Sequence, residues 1–236
     1  MYQKEHAAIT VDQARQDAAS IFLAKVFNWM AVGLGITGVV ALFSFSSGIT
    51  HAIIAGPLFL ILVFAELGFV FYLSARVKKI QASTASVLFI VYSLLNGLTL
   101  SAVFLRYTSS SIAATFFITA GMFGAMALYG LVTKRDLSGM GSFLFMGLIG
   151  IIIASIVNIF LQSSSLYWTI SLIGVLIFTG LTAYDVQKIK NMGEESILEQ
   201  GESAVKKGAI MGALTLYLDF INLFLMLLRF FGGSRD

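Results

Sequence analysis

Residues 208–231 read GAIMGALTLYLDFINLFLMLLRFF. Wound as a helix, this run is about 36 Å long at about 1.5 Å per residue. That is enough to cross a hydrocarbon core of roughly 30 Å. Its apolar residues are continuous and do not alternate every second position, which excludes a β-barrel strand. Two ionisable residues interrupt it, Asp219 and Arg229. Thr215, Asp219 and Asn222 stand at i, i+4 and i+7, so they share one helix face. Around them lie Leu, Ile, Phe and Met. A single polar stripe on so apolar a helix points into a bundle.

Working outward, six more apolar runs of spanning length precede it, at about 22–45, 52–75, 84–105, 112–133, 142–162 and 166–188. The composition agrees: 58% of the 236 residues are hydrophobic and 11% charged. A soluble domain holds about 45–50% and 25%. A soluble enzyme is excluded, and with 21 phenylalanines so is disorder. The chain is expected to be an all-α membrane protein, with residues 21–236 as a single domain of seven transmembrane helices. Residues 1–20, with Lys4, Glu5, His6, Asp12, Arg15 and Asp17, lack the apolar core of a cleaved signal peptide. They read as a polar cytoplasmic lead-in, amphipathic or disordered. Connectors are short except around 191–207, which mixes Glu194, Glu195, Glu199 and Glu202 with Lys206 and Lys207. The absence of cysteine rules out disulfides, thiolate nucleophiles and cysteine-based metal sites. His6 and His51 are too scattered to form a metal site. A net charge of +3 makes nucleic acid no partner.

Charge gives orientation. With the N-terminus in the cytoplasm, Arg106, Arg229 and Arg235 fall on the far side, and the rest of the 15 basic residues fall on the cytoplasmic side. The positive-inside rule favours that arrangement. Seven crossings then place the C-terminus outside. Spans one to three begin inside and four to six outside, so the triplets are inverted if they are related. Small residues at Gly33, Gly35 and Gly38, Ala120/Gly124, Gly121/Ala125, Gly150/Ala154 and Gly208/Gly212 are expected at helix contacts. Pro57 is expected to start a helix after Gly56.

Ionisable residues within membrane spans are costly, at about 2.5–3.5 kcal/mol on insertion scales, and mark polar interiors or ion paths. Three acids qualify: Glu66, Asp185 and Asp219. Arg76 stands at the cytoplasmic end of span two. Counted from Lys188, Arg76 and Lys207 as the membrane edge, Asp185 lies roughly 5 Å deep, Glu66 about 15 Å and Asp219 about 18 Å. Depth therefore groups Asp185 with Arg76, and Asp219 with Glu66. Asp185 meets Asp219 only if span seven starts late or if Lys188 and Lys190 snorkel from a deeper position. Thr182 shares a face with Asp185, while Asn96 and Asn158 read as hydrogen-bonding links between helices. Two acids held close share a proton and titrate as a pair. Protonated, they hold two helices together; deprotonated, they repel and become hard ligands for Ca²⁺. With two carboxylates, binding is weak and transient.

The stretches Gly180-Leu-Thr-Ala-Tyr-Asp-Val-Gln-Lys-Ile-Lys190 and Gly212-Ala-Leu-Thr-Leu-Tyr-Leu-Asp-Phe-Ile-Asn222 resemble the Bax inhibitor-1 family. Thr119-Ala-Gly-Met-Phe-Gly124 and Lys134-Arg-Asp-Leu-Ser138 are similar to its bacterial inner-membrane branch. The resemblance covers nearly all seven spans. It implies a central last helix wrapped by six others, and a pH-regulated Ca²⁺ leak. It implies that Asp185 and Asp219 form the pH-sensing latch, that Arg76 engages Asp185 and that Glu66 lines the path.

The function expected is a calcium-leak channel moving Ca²⁺ under proton control, with no enzymatic activity and no cofactor. The alternative is a non-transporting regulator of membrane-protein quality control or stress response. It would bind a membrane protease or another membrane protein through Glu194–Lys207. A proton-coupled exporter would use the same acids. An intramembrane aspartyl protease is disfavoured, because Asp219 has no flanking glycine and no Pro-Ala-Leu run follows. A retinal protein is disfavoured because span seven has no mid-membrane lysine.

Overall fold

The computed structural model describes residues 2–77, 79–199 and 201–234, the side chains of 2–12 and 195–199 excepted. Lys78, Arg235 and the side chains of Lys4, Glu5, His6, Asp12, Glu195 and Glu199 lie outside the described residues. The helices are α1 (Tyr2–Ser46), α2 (Ile49–Ile54), α3 (Leu58–Arg76), α4 (Ala82–Leu100), α5 (Val103–Arg106), α6 (Ser109–Val132), α7 (Ser138–Leu161), α8 (Ser164–Glu199) and α9 (Glu202–Phe231). Seven segments among the described residues are long and apolar enough to cross a membrane, α4 and α5 counting as one. The all-α, seven-span architecture is therefore as expected. In the last span 72% of the apolar window is buried, against 44% or less in the other six.

Boundaries follow local chemistry. Thr108, extended at ψ 147, caps α6 by accepting a hydrogen bond from the Ser111 N–H. Pro57 immediately precedes α3. Asn158 does not link two helices as expected. Its Oδ1 accepts from the Ser163 N–H at 3.0 Å and closes the end of α7, where Gln162 is left-handed at φ 49. Two expectations shift more. The polar lead-in is continuous helix with span one, because Ala18, Ala19, Phe22, Leu23 and Val26 repeat at helical spacing and are buried. The connector at 191–207 is almost wholly helical, interrupted near Gly201, so α8 and α9 run well past their apolar portions.

The chain divides into two compact units. The first comprises Met1–Leu105 with Ile189–Leu214. Here α1 crosses α4 so closely that a methyl on Gly97 would stand 2.9 Å from the Thr37 carbonyl oxygen. Thr37 Oγ1 donates to the Ser93 carbonyl at 3.0 Å in the same seam. Phe22 packs against Gly193 and Gly208, joining α1 to the α8–α9 hairpin. The second unit comprises Arg106–Lys188 with Thr215–Asp236. There α6 abuts α8 with Gly130 against the Ala183 carbonyl, a place no side chain could occupy. Phe116 and Phe123 of α6 stack edgewise on Phe220 of α9.

The small-residue expectation holds only in part. Gly33, Gly208 and Gly212 pack against neighbours, but Gly35, Gly38, Gly121, Gly124 and Gly150 have open space where a Cβ would stand. Small-xxx-small spacing makes a flat helix face; it does not say that another helix covers it.

Candidate functional site

Asp185 of α8 and Asp219 of α9 share a side-chain hydrogen bond. Asp219 is 5% exposed, among the buried Leu216, Tyr217 and Phe220. Asp185 is half-buried, and Lys188 one turn on bears on it electrostatically. The Lys188 ammonium stands 5.8 Å from the Tyr184 ring centre. The Oδ2 atom of Asp219 is buried with no hydrogen-bond partner among the described residues. Two carboxyl groups hydrogen-bond to each other by sharing a proton.

Depth counted from the lysines did not bring these acids together, and the helix extensions explain why. Both helices run to the break near Gly201. Counted from there, Asp185 is about 24 Å along α8 and Asp219 about 27 Å along α9. Lys188 and Lys207 do not mark one plane, so the acids are close to level.

Thr182 and Asn222 bond to their own helices. Thr182 is buried and its hydroxyl donates to the Phe178 carbonyl at 2.8 Å. The Asn222 amide donates to the Leu218 carbonyl at 2.8 Å. Thr215 is half-buried one turn before Asp219. Such back-bonding satisfies a hydroxyl or amide without extending the acid pair's network.

Glu66 finds its partners on α4. Thr99 Oγ1 donates to Oε1 at 2.7 Å, and Asn96 Nδ2 donates to Oε2 at 3.2 Å and also to the Tyr92 hydroxyl at 3.2 Å. Asn96 thus joins α3 to α4, the linking role its sequence suggested. Thr99 and Tyr92 escaped notice, although 92, 96 and 99 lie on one helical face. Arg76 is exposed in the last turn of α3.

A second overlooked residue is Gln187, two positions after Asp185. Its amide holds the α6–α7 loop by both ends: Oε1 accepts from the Leu137 N–H at 2.9 Å, and Nε2 donates to the Arg135 carbonyl at 2.8 Å. With Gly130 against Ala183 and Gly141 against the Tyr184 ring, the α6–α7 hairpin is fitted to residues 183–187 of α8. Among the described residues no cluster of three or more His, Cys, Asp or Glu exists to hold a metal. Among the described His, Cys, Asp and Glu, a cation at the acid pair would meet just the two carboxylates.

The arrangement is that of a multi-pass helical membrane protein with paired acids between two adjacent helices. Residues 19–236 match the family model described as "Inhibitor of apoptosis-promoting Bax1". The chain belongs to that Bax inhibitor family. It is 54% identical to the inner membrane protein YbhL of Escherichia coli K12 over 216 residues, covering 91% of this chain and 92% of that one. It is 48% identical to a Borreliella burgdorferi protein over 217 residues, 91% and 93% of the two chains. A Rickettsia prowazekii protein is 46% identical over 236 residues, 100% and 99%.

Proposed function

We propose that this chain is a pH-regulated leak for cations, chiefly Ca²⁺, with Asp185 and Asp219 as its latch. One observation carries the reading: two carboxyl groups on different helices share a hydrogen bond, and one of them is 5% exposed. The shared proton ties α8 to α9. Removing it leaves two like charges in sheltered surroundings, where they repel more strongly than in water. Separation frees hard oxygens for a passing divalent cation, and two carboxylates bind too weakly to trap it. Protonation then biases two helix packings, closed and open. Lys188 tempers the charge on Asp185. The inner-membrane setting is supported by the printed name of the Escherichia coli relative. The basic-residue asymmetry supports a cytoplasmic N-terminus and a periplasmic C-terminus. No covalent chemistry and no bound cofactor enter the reading; Ca²⁺ and protons are its small partners.

The test is Ca²⁺ entry into protein-containing liposomes at a series of pH values, with Na⁺, K⁺ and Mg²⁺ compared. Flux is expected to rise as pH rises through the titration of the pair. Entry no faster than in protein-free liposomes, or flux indifferent to pH, overturns the proposal.

A further inference from the structure

At the C-terminal end of α9, about 15 Å along the helix from Asp219, the second unit gathers arginines among aromatic rings. The Arg229 guanidinium lies 4.5 Å from the Tyr167 ring centre and donates to Ser171 Oγ at 3.0 Å. Ser171 is fully buried and donates in turn to the Tyr167 carbonyl at 2.8 Å. Tyr167 shares a side-chain hydrogen bond with Tyr107, and Arg106 stands 5.7 Å from the Tyr107 ring centre. The Tyr107 hydroxyl feels both guanidiniums, while burial pushes its pKa up, so it stays a neutral hydrogen-bond donor. The chain's end secures the arrangement: Tyr107 bridges Ser234, and the Thr108 N–H donates to the Gly233 carbonyl at 3.0 Å.

Depth, charge and shape agree on a ligand. Apolar spans end at Arg106 and Phe231 and begin at Ser109 and Ser164, so the cluster lies where hydrocarbon gives way to headgroups. Tyr107, Tyr167 and the Trp168–Phe230 pair, 5.1 Å between ring centres, are the amphipathic and apolar rings of an interfacial belt. No described acid of this unit stands at this end: Asp136 is in the α6–α7 loop, and Asp185 and Asp219 lie along the helices. Arg106 and Arg229 are also two of the three basic residues that the charge asymmetry leaves on the non-cytoplasmic side. One hydrogen bond and one ring fix Arg229, leaving most of its five N–H donors free for the planar, two-oxygen contact that phosphate accepts.

We propose that Arg106 and Arg229, joined through the Tyr107–Tyr167 pair, bind the phosphate of an anionic phospholipid in the leaflet where α9 ends. The proposal does not depend on the leak reading.

Purified protein in detergent would be titrated with phosphatidylglycerol, phosphatidylcholine or inorganic phosphate, with bound lipid read by native mass spectrometry and melting temperature followed in parallel. Phosphatidylglycerol should bind more tightly than phosphatidylcholine. Arg106→Gln, an exposed change that the fold tolerates, should weaken phosphatidylglycerol binding about fivefold and leave phosphatidylcholine unaffected. Arg229→Lys keeps the charge but loses the fork, and should weaken it less. Equal binding of the two lipids overturns the proposal, as does an unchanged preference in both variants. Protection by inorganic phosphate matching that by lipid overturns the assignment to a membrane headgroup. A preference seen only in Asp236→Asn would give the guanidiniums to the chain's own acid and overturn it equally.

Discussion

Asp219 pairs a nearly complete loss of solvent with a single bonded carboxyl oxygen. That combination is tolerable while a proton is shared with Asp185 and costly once it is gone. The native state should therefore lose about 1–3 kcal/mol as rising pH strips the pair, the usual penalty for a buried polar group without a partner. Asp219→Asn cannot lose a proton and should remove this pH dependence. Thermal unfolding in detergent across the titration range checks it, and parallel curves for the two proteins would contradict it. Asp136 offers the opposite sign. The Ser138 hydroxyl, and then its backbone N–H, hold this exposed carboxyl below the usual carboxylate range. A lowered folded value stabilises at pH above the unfolded one and ceases to do so as pH falls through it. Asp136→Asn should thus melt lower than wild type at neutral pH, and the gap should close in acid. That Glu66, Asp185 and Asp219 interrupt apolar helices was legible in the sequence, since carboxylates stand out in an apolar run. Depth counting alone did not pair Asp185 with Asp219, because it takes Lys188 and Lys207 as the membrane's edge, and both lie within helices that run further. Neutral groups such as Gln187, Thr99 and Ser171 left no mark, since a polar residue on a helix face does not declare its partner.

Among elements, the α6–α7 hairpin and the Asp185 segment of α8 are fitted by three separate contacts, at Gly130, Gly141 and Gln187. Gly130→Ala would drive a methyl into the Ala183 carbonyl, a backbone atom that a side-chain rotation cannot relieve. A loss of about 1–3 kcal/mol is expected, as for other overpacked contacts. Gln187→Leu removes two hydrogen bonds at a half-exposed position, for which about 1 kcal/mol is reasonable. Melting temperatures would rank the two; if Gly130→Ala proved the milder, the close approach of α6 to α8 would be in error. Gly121→Ala on the same helix is the control, because open space surrounds that position and no loss should follow. The contrast explains what periodicity conveys about membrane helices. Length and apolarity place them, Pro57 starts one where expected, and Thr108 begins another. Which glycines touch a neighbour depends on rotation about the helix axis. An all-round apolar helix hides that angle, since lipid and protein are both apolar surroundings.

For the whole molecule, seven crossings carry a strict corollary: an odd number puts the two ends on opposite faces. The uneven distribution of Lys and Arg predicts which is which, because short loops rich in Lys and Arg are the ones retained in the cytoplasm. The absence of cysteine makes this directly measurable, since an introduced thiol reacts against no background. Gln13 and Ser234 are both exposed, near opposite ends of the chain. In intact spheroplasts a membrane-impermeant maleimide should label Ser234→Cys and spare Gln13→Cys until the membrane is opened. The reverse pattern would invert the orientation while preserving seven spans. Equal labelling of both from outside would require an even number of crossings. In that event one of the seven apolar helices lies within the protein or along the surface. Labelling from one face only, at each position, is the outcome on which both the latch and the headgroup site of Arg106 and Arg229 depend for their placement in the bilayer.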